Sequence, residues 1–152
     1  MDHSIPSSPL LVQIRVVLNP TRLSALSSPG AMKLLIVEDN AGVRRVIRNL
    51  VANVAGEICE CADGAEVLEL YNLERPDFVL MDIQMEGMDG IAATRQIKAT
   101  DPTARVIIVT DYNQPDLREA AGQAGACGYV LKENLLELAH LLEEFSERGG
   151  SL

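Results

Sequence analysis

The sequence predicts one doubly wound α/β domain, and three observations lead there. Strand-like and helical patterns alternate strictly from residue 33 onward, five of each. The strand-like runs "KLLIVED", "DFVLMD" and "ARVIIVTD" are apolar without a break, the pattern of parallel strands buried on both faces. The length, 152 residues of which 47% are hydrophobic, suffices for one domain with a real core and not for two. Strict alternation implies right-handed crossovers, a parallel sheet and helices on both of its faces.

The elements follow in order. After "KLLIVED", the segment "AGVRRVIRNLVANV" places Val43, Val46, Ile47, Leu50, Val51 and Val54 at helical spacing. "EICECA" alternates as a strand and "GAEVLELYNLE" reads as a helix. Pro76 then precedes the strand "DFVLMD". "GIAATRQIKAT" is a helix stopped by Asp101-Pro102, and "ARVIIVTD" is a strand rich in β-branched residues. "QPDLREAAGQAG" has proline near a helix start and Gly125 at its end. "GYVLK" is a short strand, and "ENLLELAHLLEEF" is a helix with Leu135, Leu138, Leu142 and Phe145 on one stripe.

Residues 1–31 differ. They are rich in Ser and Pro, hold only Asp2, Arg15 and Arg22 as formal charges, and read as a mobile, non-conforming extension of a domain spanning 32–152. Within them "VQIRVV" alternates as a short strand would. Met32, where the folded pattern begins, is a candidate translation start.

The formal net charge is −9; the acidity behind it belongs to the domain and argues against a bare nucleic-acid binder. "LLVQIRVVL" is too short to span a bilayer and lacks a preceding basic region, so a cytoplasmic protein is expected, without a membrane partner. Three cysteines, Cys59, Cys61 and Cys127, fit a reducing compartment. With His3 and His140 far off in sequence, C-x-C at Cys59 and Cys61 reads as packed thiols rather than a metal site. Neither G-x-G-x-x-G nor a P-loop motif is present, which weighs against a flavin or nucleotide binder.

Ligands of open parallel sheets bind at the carboxyl ends of the strands, where strand order reverses. Here those ends carry Glu38-Asp39, Asp82, Thr110-Asp111 and Lys132, whereas "CECAD" offers nothing obvious. Taken singly, each has an ordinary reading: Asp39 a helix cap, Glu38 a solvated strand end, Thr110 a strand residue, Lys132 a surface cation, Asp82 a turn opener. Jointly, Glu38, Asp39 and Asp82 form a carboxylate cluster that suits a hard cation such as Mg²⁺ and raises at least one pKa without it. With Lys132 as cation and Thr110 as hydroxyl, the set suits phosphoryl transfer onto a carboxylate nucleophile, Asp82, presented from a rigid strand end.

These residues resemble a known family, the response-regulator receiver domains of two-component signalling. "LLIVEDN" resembles its acidic pair, "DFVLMDIQMEGMDG" its phosphoacceptor strand and loop, "VIIVTD" its switch-threonine strand and "GACGYVLKE" its lysine strand; the likeness covers about residues 33 to 146. The resemblance implies a flavodoxin-like (βα)5 fold with strand order 2-1-3-4-5. It implies that Asp82 accepts a phosphoryl group from a histidine kinase or histidine phosphotransfer protein. Asp39, Asp82, the backbone carbonyl of Gln84 and, partly through water, Glu38 would hold Mg²⁺. Lys132 would pair with a phosphoryl oxygen, Thr110 would bond another, and Tyr129 would turn inward, altering the surface of the fourth helix, fifth strand and fifth helix. For Tyr129 a core-aromatic role stands beside the switch role.

Three positions depart from the family pattern: Glu86 where proline is usual, Asp111 where a small residue is preferred, and Glu133 where a cis proline is common. Loop rigidity, donor access and the Lys132-Glu133 bond, expected trans, are what these put in question. Gln84 and Tyr112 flank the site and are expected to tune the lifetime of the phosphoryl group. No output domain follows "ERGGSL", so the expected output is contact with a downstream protein, not DNA; Leu136 and Leu141, off the main stripe, are candidates for that face or a homodimer. The chain is expected not to be a turnover enzyme. A dehalogenase-type phosphatase would want a second acid where Gln84 stands. A phosphorylation-independent adaptor with the same fold is the alternative.

Overall fold

The computed structural model describes residues 15–17 and 32–147. Its strands are β1 (Arg15–Val17), β2 (Met32–Val37), β3 (Ala55–Cys61), β4 (Phe78–Met81), β5 (Val106–Thr110) and β6 (Gly128–Leu131). Its helices are α1 (Ala41–Val51), α2 (Val67–Glu74), α3 (Gly90–Thr100), α4 (Pro115–Ala124) and α5 (Leu135–Glu147). Single 3₁₀ turns, Gly64–Glu66 and Lys132–Asn134, lead into α2 and α5.

One sheet runs β1-β3-β2-β4-β5-β6. Strands β2 to β6 are the five expected ones. They pair in parallel, so their order is the expected 2-1-3-4-5. β1 lies antiparallel on the outer edge of β3, with Arg15 opposite Glu60, Val16 opposite Cys59 and Val17 opposite Ile58. The reading of residues 1–31 as a non-conforming extension therefore fails at these three residues, the last three of "VQIRVV". They supply ladder partners to a strand edge that would otherwise be open. The rest of the extension, and the Met32 start it bears on, lie outside the described residues.

Alternation along the central strands divides the core between two faces. Leu34, Ile36, Phe78, Leu80, Ile107, Val109 and Val130 pack against Ile47 and Val51 of α1 and Leu138 and Leu142 of α5. Leu35, Val37, Val79, Met81, Val106 and Ile108 pack against Val67 and Leu70 of α2, Ile91 and Ile97 of α3, and Ala121 and Ala124 of α4. Apolar side chains dominate both layers at the sheet centre, so the burial that stabilises the fold leaves the strand ends free for polar groups.

Local signals set the helix ends. Asn40 caps α1 by accepting the Val43 N–H at 2.9 Å. Asp89 caps α3 by accepting from Ile91 and Ala92 at 2.7 and 3.1 Å. α4 starts on Pro115 and stops at Gly125, whose φ of 106° is the left-handed conformation that glycine adopts without a Cβ penalty. On α5 the predicted stripe faces the core, with the Phe145 ring 4.7 Å from that of Phe78. The two off-stripe leucines part company: Leu141 packs against the core, whereas Leu136 is 65% exposed.

Candidate functional site

Strand order reverses between β2 and β4: β2 passes to β3 on one side, while β4 leads on to β5 and β6. The site forms at the carboxyl ends of these two strands. Val37 lies opposite Met81, so the next residues, Glu38 and Asp82, leave the sheet side by side. The ladder continues one step into them, since the Asp82 N–H donates to the Val37 carbonyl at 3.0 Å and the Glu38 N–H to the Cys61 carbonyl at 3.0 Å. Both side chains are buried, at 2% and 5% exposure for Glu38 and Asp82. Asp39 is exposed, and because Asn40 caps α1, Asp39 is not the helix cap. One carboxylate oxygen from each of Glu38, Asp39 and Asp82 lies within 4.8 Å of the others.

Lys132 sits one residue beyond β6, at the start of the 3₁₀ turn. Its ammonium is 2.8 Å from Glu38 Oε1 and 3.3 Å from Asp82 Oδ2. Asp82 Oδ1 accepts the Ile83 N–H at 2.9 Å, and Glu38 Oε2 accepts the Asn40 N–H at 3.1 Å. Glu38 Oε1 has no aligned hydrogen bond although fully buried; the ammonium faces it as an ion pair.

Burial first, and the Glu38 charge second, push the Asp82 carboxyl up to about 6, even though Lys132 and the Ile83 N–H pull it back. Burial also disfavours the Lys132 ammonium, but hydrogen bonding to Glu38 and the charges of Asp82 and Glu38 outweigh it, so its pKa lies above the ordinary value. Glu38 and Asp82 thus share one ammonium with Asp39 close by, and the site remains short of positive charge. An all-oxygen donor set with an unaligned buried oxygen fits a hard divalent cation.

The switch candidates join the same end of the sheet. Thr110 closes β5, is fully buried, and its Oγ1 accepts the Tyr112 N–H at 3.2 Å. Tyr129, opposite Ile108 on β6, donates its hydroxyl to the Tyr112 carbonyl at 2.7 Å, and the Arg118 guanidinium lies 4.5 Å above its ring. Tyr129 is thus both a packed aromatic and a hydrogen-bonded one. The Tyr112 hydroxyl in turn donates to the Gln84 side-chain oxygen, closing a bridge from the β5–α4 loop to the β4–α3 loop. Tyr112 connects Thr110, Tyr129 and Gln84 through three different groups, a role its sequence position beside the site did not reveal.

The three family departures have distinct surroundings. Glu86 is exposed, and its carbonyl accepts the Gly64 N–H at 3.4 Å, tying its loop to the turn before α2. Asp111 is exposed and lines a cleft of about 430 Å³ together with Asn40, Val43, Val46, Lys132 and Leu135. Among the described residues no peptide bond is cis, so Lys132-Glu133 is trans.

β3, which seemed to offer nothing, supports the site from behind. Glu60 is 3% exposed and pairs with Arg44 Nε at 2.9 Å and with Arg48. Burial pushes the Cys59 thiol up to about 12 and the Cys61 thiol to about 11, so both remain protonated packing groups. Glu57, Cys59 and Glu74 also lie close together, but the Lys33 ammonium is already there, 2.8 Å from Glu74 and 3.6 Å from Glu57.

The family model for the response regulator receiver domain matches residues 34–143, and the chain belongs to that family. It is 40% identical over 103 residues to the chemotaxis protein CheY of Bacillus subtilis, covering 67% of this chain and 86% of that one. It is 38% identical over 101 residues to sporulation initiation phosphotransferase F of the same organism, covering 66% of this chain and 81% of that one. Among solved structures, the CheX–CheY–BeF₃–Mg²⁺ complex of Borrelia burgdorferi matches with a TM-score of 0.70 and 25% identity, over 75% of this chain and 89% of that one. Among the described residues, no helix is long and apolar enough to cross a membrane.

Proposed function

We propose that this receiver domain is a phosphorylation-dependent switch whose phosphoacceptor is Asp82. The observation that carries the reading is the ammonium of Lys132 held between Glu38 and Asp82 at the ends of three separate strands. A carboxylate oxygen of Asp82 attacks the donor phosphorus as the phosphorus–nitrogen bond of a phosphohistidine breaks, and the leaving imidazole takes up a proton. Glu38, Asp39, Asp82 and the Gln84 carbonyl are the groups that would hold Mg²⁺, which when bound supplies neutralising charge for the phosphoryl oxygens. Lys132 neutralises a further oxygen.

The Thr110 hydroxyl, which among the described residues bonds within its own loop, is available to turn towards the phosphoryl group. Doing so releases the Tyr112 N–H, and Tyr112 also holds Tyr129. The change therefore spreads to the surface of α4, β6 and α5, where a downstream protein would read it. The phosphoryl source would be a histidine kinase or histidine phosphotransfer protein, and the protein would act in the cytoplasm, without turnover of a released substrate. The Borrelia CheY complex carries beryllofluoride and Mg²⁺, the pair of ligands this reading assigns here.

NMR titration with beryllofluoride and Mg²⁺ tests the switch. Amide shifts at Thr110, Tyr112 and Tyr129 and along α4, dependent on both ligands, are expected. A spectrum unmoved by the pair would overturn the reading.

A further inference from the structure

Buried Glu60 has no part in the chemistry above, yet it holds two arginines of α1. Arg44 uses two different edges of its guanidinium. Nε donates to Glu60 Oε1 at 2.9 Å, and Nη1 donates to the main-chain carbonyl of Glu38 at 2.7 Å. Arg48 completes the pairing of Glu60 through its other oxygen. Glu60 lies on β3, Arg44 on α1 and Glu38 just past β2, so one side chain ties the acidic turn to two neighbouring elements.

The Glu38–Asp39 turn needs such a tie. Three clustered carboxylates, only two of them paired with the Lys132 ammonium, repel one another, and a turn free to open would move Glu38 and Asp39 apart until a cation arrived. Holding the Glu38 carbonyl fixes the backbone from which both carboxylates project. A planar guanidinium bonding in two directions can do this, whereas an ammonium on a flexible stem cannot reproduce the fork.

We propose that Arg44, oriented by Glu60, is a positioning residue that holds the Glu38–Asp39 turn ready for a divalent cation. The inference rests on the Mg²⁺-binding reading above, but its effect on Glu38 is visible without metal. Positioning groups behind metal ligands typically change metal affinity by about tenfold or more.

Arg44→Lys and Arg44→Met separate this role from simple charge. Arg48 still pairs Glu60 in both, which protects the fold. If Arg44 acted only as a nearby positive charge, its removal in Arg44→Met would strengthen cation binding, and Arg44→Lys would change nothing. The proposal expects the opposite: Mg²⁺ affinity by isothermal titration calorimetry falls about tenfold in both variants. In metal-free protein, hydrogen exchange at the Asn40 amide, bonded to Glu38 Oε2, should accelerate in both. The Val43 amide, bonded to the Asn40 side chain, should be unchanged.

Unchanged or tighter Mg²⁺ binding with unchanged Asn40 exchange overturns the proposal, as does equal acceleration at Asn40 and Val43, which marks a general loosening of α1. Wild-type protein that binds no Mg²⁺ overturns the metal reading and the cation part of this proposal, while the Asn40 exchange still decides whether Arg44 positions Glu38.

Discussion

Lys132 and Asp82 face each other at 3.3 Å across the ends of β6 and β4, and the same ammonium lies closer still, at 2.8 Å, to Glu38. The lysine therefore belongs to Glu38 as much as to Asp82. Before any anion arrives, it is the charge that lets two buried carboxylates share one space.

Replacing it exposes that dependence. Lys132→Met leaves Glu38 and Asp82 buried without their cation, and at neutral pH this costs about 3 kcal/mol of stability. Mg²⁺ should recover part of the loss, because a divalent cation neutralises the same carboxylates. Urea denaturation with and without Mg²⁺ checks both, and equal stability of variant and wild type would count against the ion-pair account.

Asp82 itself should leave a pH signature. Its folded-state pKa of about 6 lies above the ordinary value of 3.8, so the folded chain holds this proton more tightly than the unfolded chain. In metal-free protein its contribution to stability is therefore greatest below about pH 4, falls as pH rises through about 6, and is constant beyond. Asp82→Asn removes that slope while keeping an oxygen for the Ile83 N–H. It should stabilise the neutral-pH protein by about 3 kcal/mol and leave the stability near pH 4 unchanged. Denaturation midpoints across pH with a chelator present measure the difference.

Gly90 is set by contact rather than by a turn. A Cβ there would lie 1.9 Å from the Asp82 carbonyl oxygen and 2.9 Å from Met81 Cγ, and the Gly90 N–H also donates to the Ile83 carbonyl at 2.7 Å. Gly90→Ala must displace the backbone that carries Asp82, at a cost of about 3 kcal/mol. Thermal denaturation reads that cost, and a variant as stable as wild type would show that the loop yields freely.

Much of this was legible in the sequence for a specific reason. Parallel strands buried on both faces read as unbroken apolar runs, so the polar residues ending them, Glu38, Asp39, Asp82, Thr110 and Lys132, stand out by position, and the fold brings them to one end of the sheet. Glu60 does not stand out, because a buried glutamate in "CECAD" becomes meaningful only when Arg44 and Arg48 arrive from α1. Tyr112 was seen as a neighbour of the site, but its links to Gln84 and Tyr129 depend on loop conformations with no periodic signal. β1 pairs through main-chain groups with a strand some forty residues later in the chain, and three residues in a Ser- and Pro-rich segment carry little pattern of their own. Asp39 was open to a capping role until the structure gave that role to Asn40.

Asp111 lines the same cleft as Lys132, so a donor reaching Asp82 from that side would pass its carboxylate. An exposed carboxylate there opposes a phosphodonor before contact. Asp111→Ala should therefore accelerate loading from acetyl phosphate severalfold, with the gain shrinking at high ionic strength. Equal rates in variant and wild type at low salt would remove Asp111 from the account.

The most direct test of the central claim is the intact mass of the protein after incubation with Mg²⁺ and acetyl phosphate, beside Asp82→Asn treated in the same way. The account predicts a phosphoryl-sized gain in the wild type, dependent on Mg²⁺ and absent from the variant. The same gain in Asp82→Asn, or no gain in the wild type together with no binding of beryllofluoride, would contradict it.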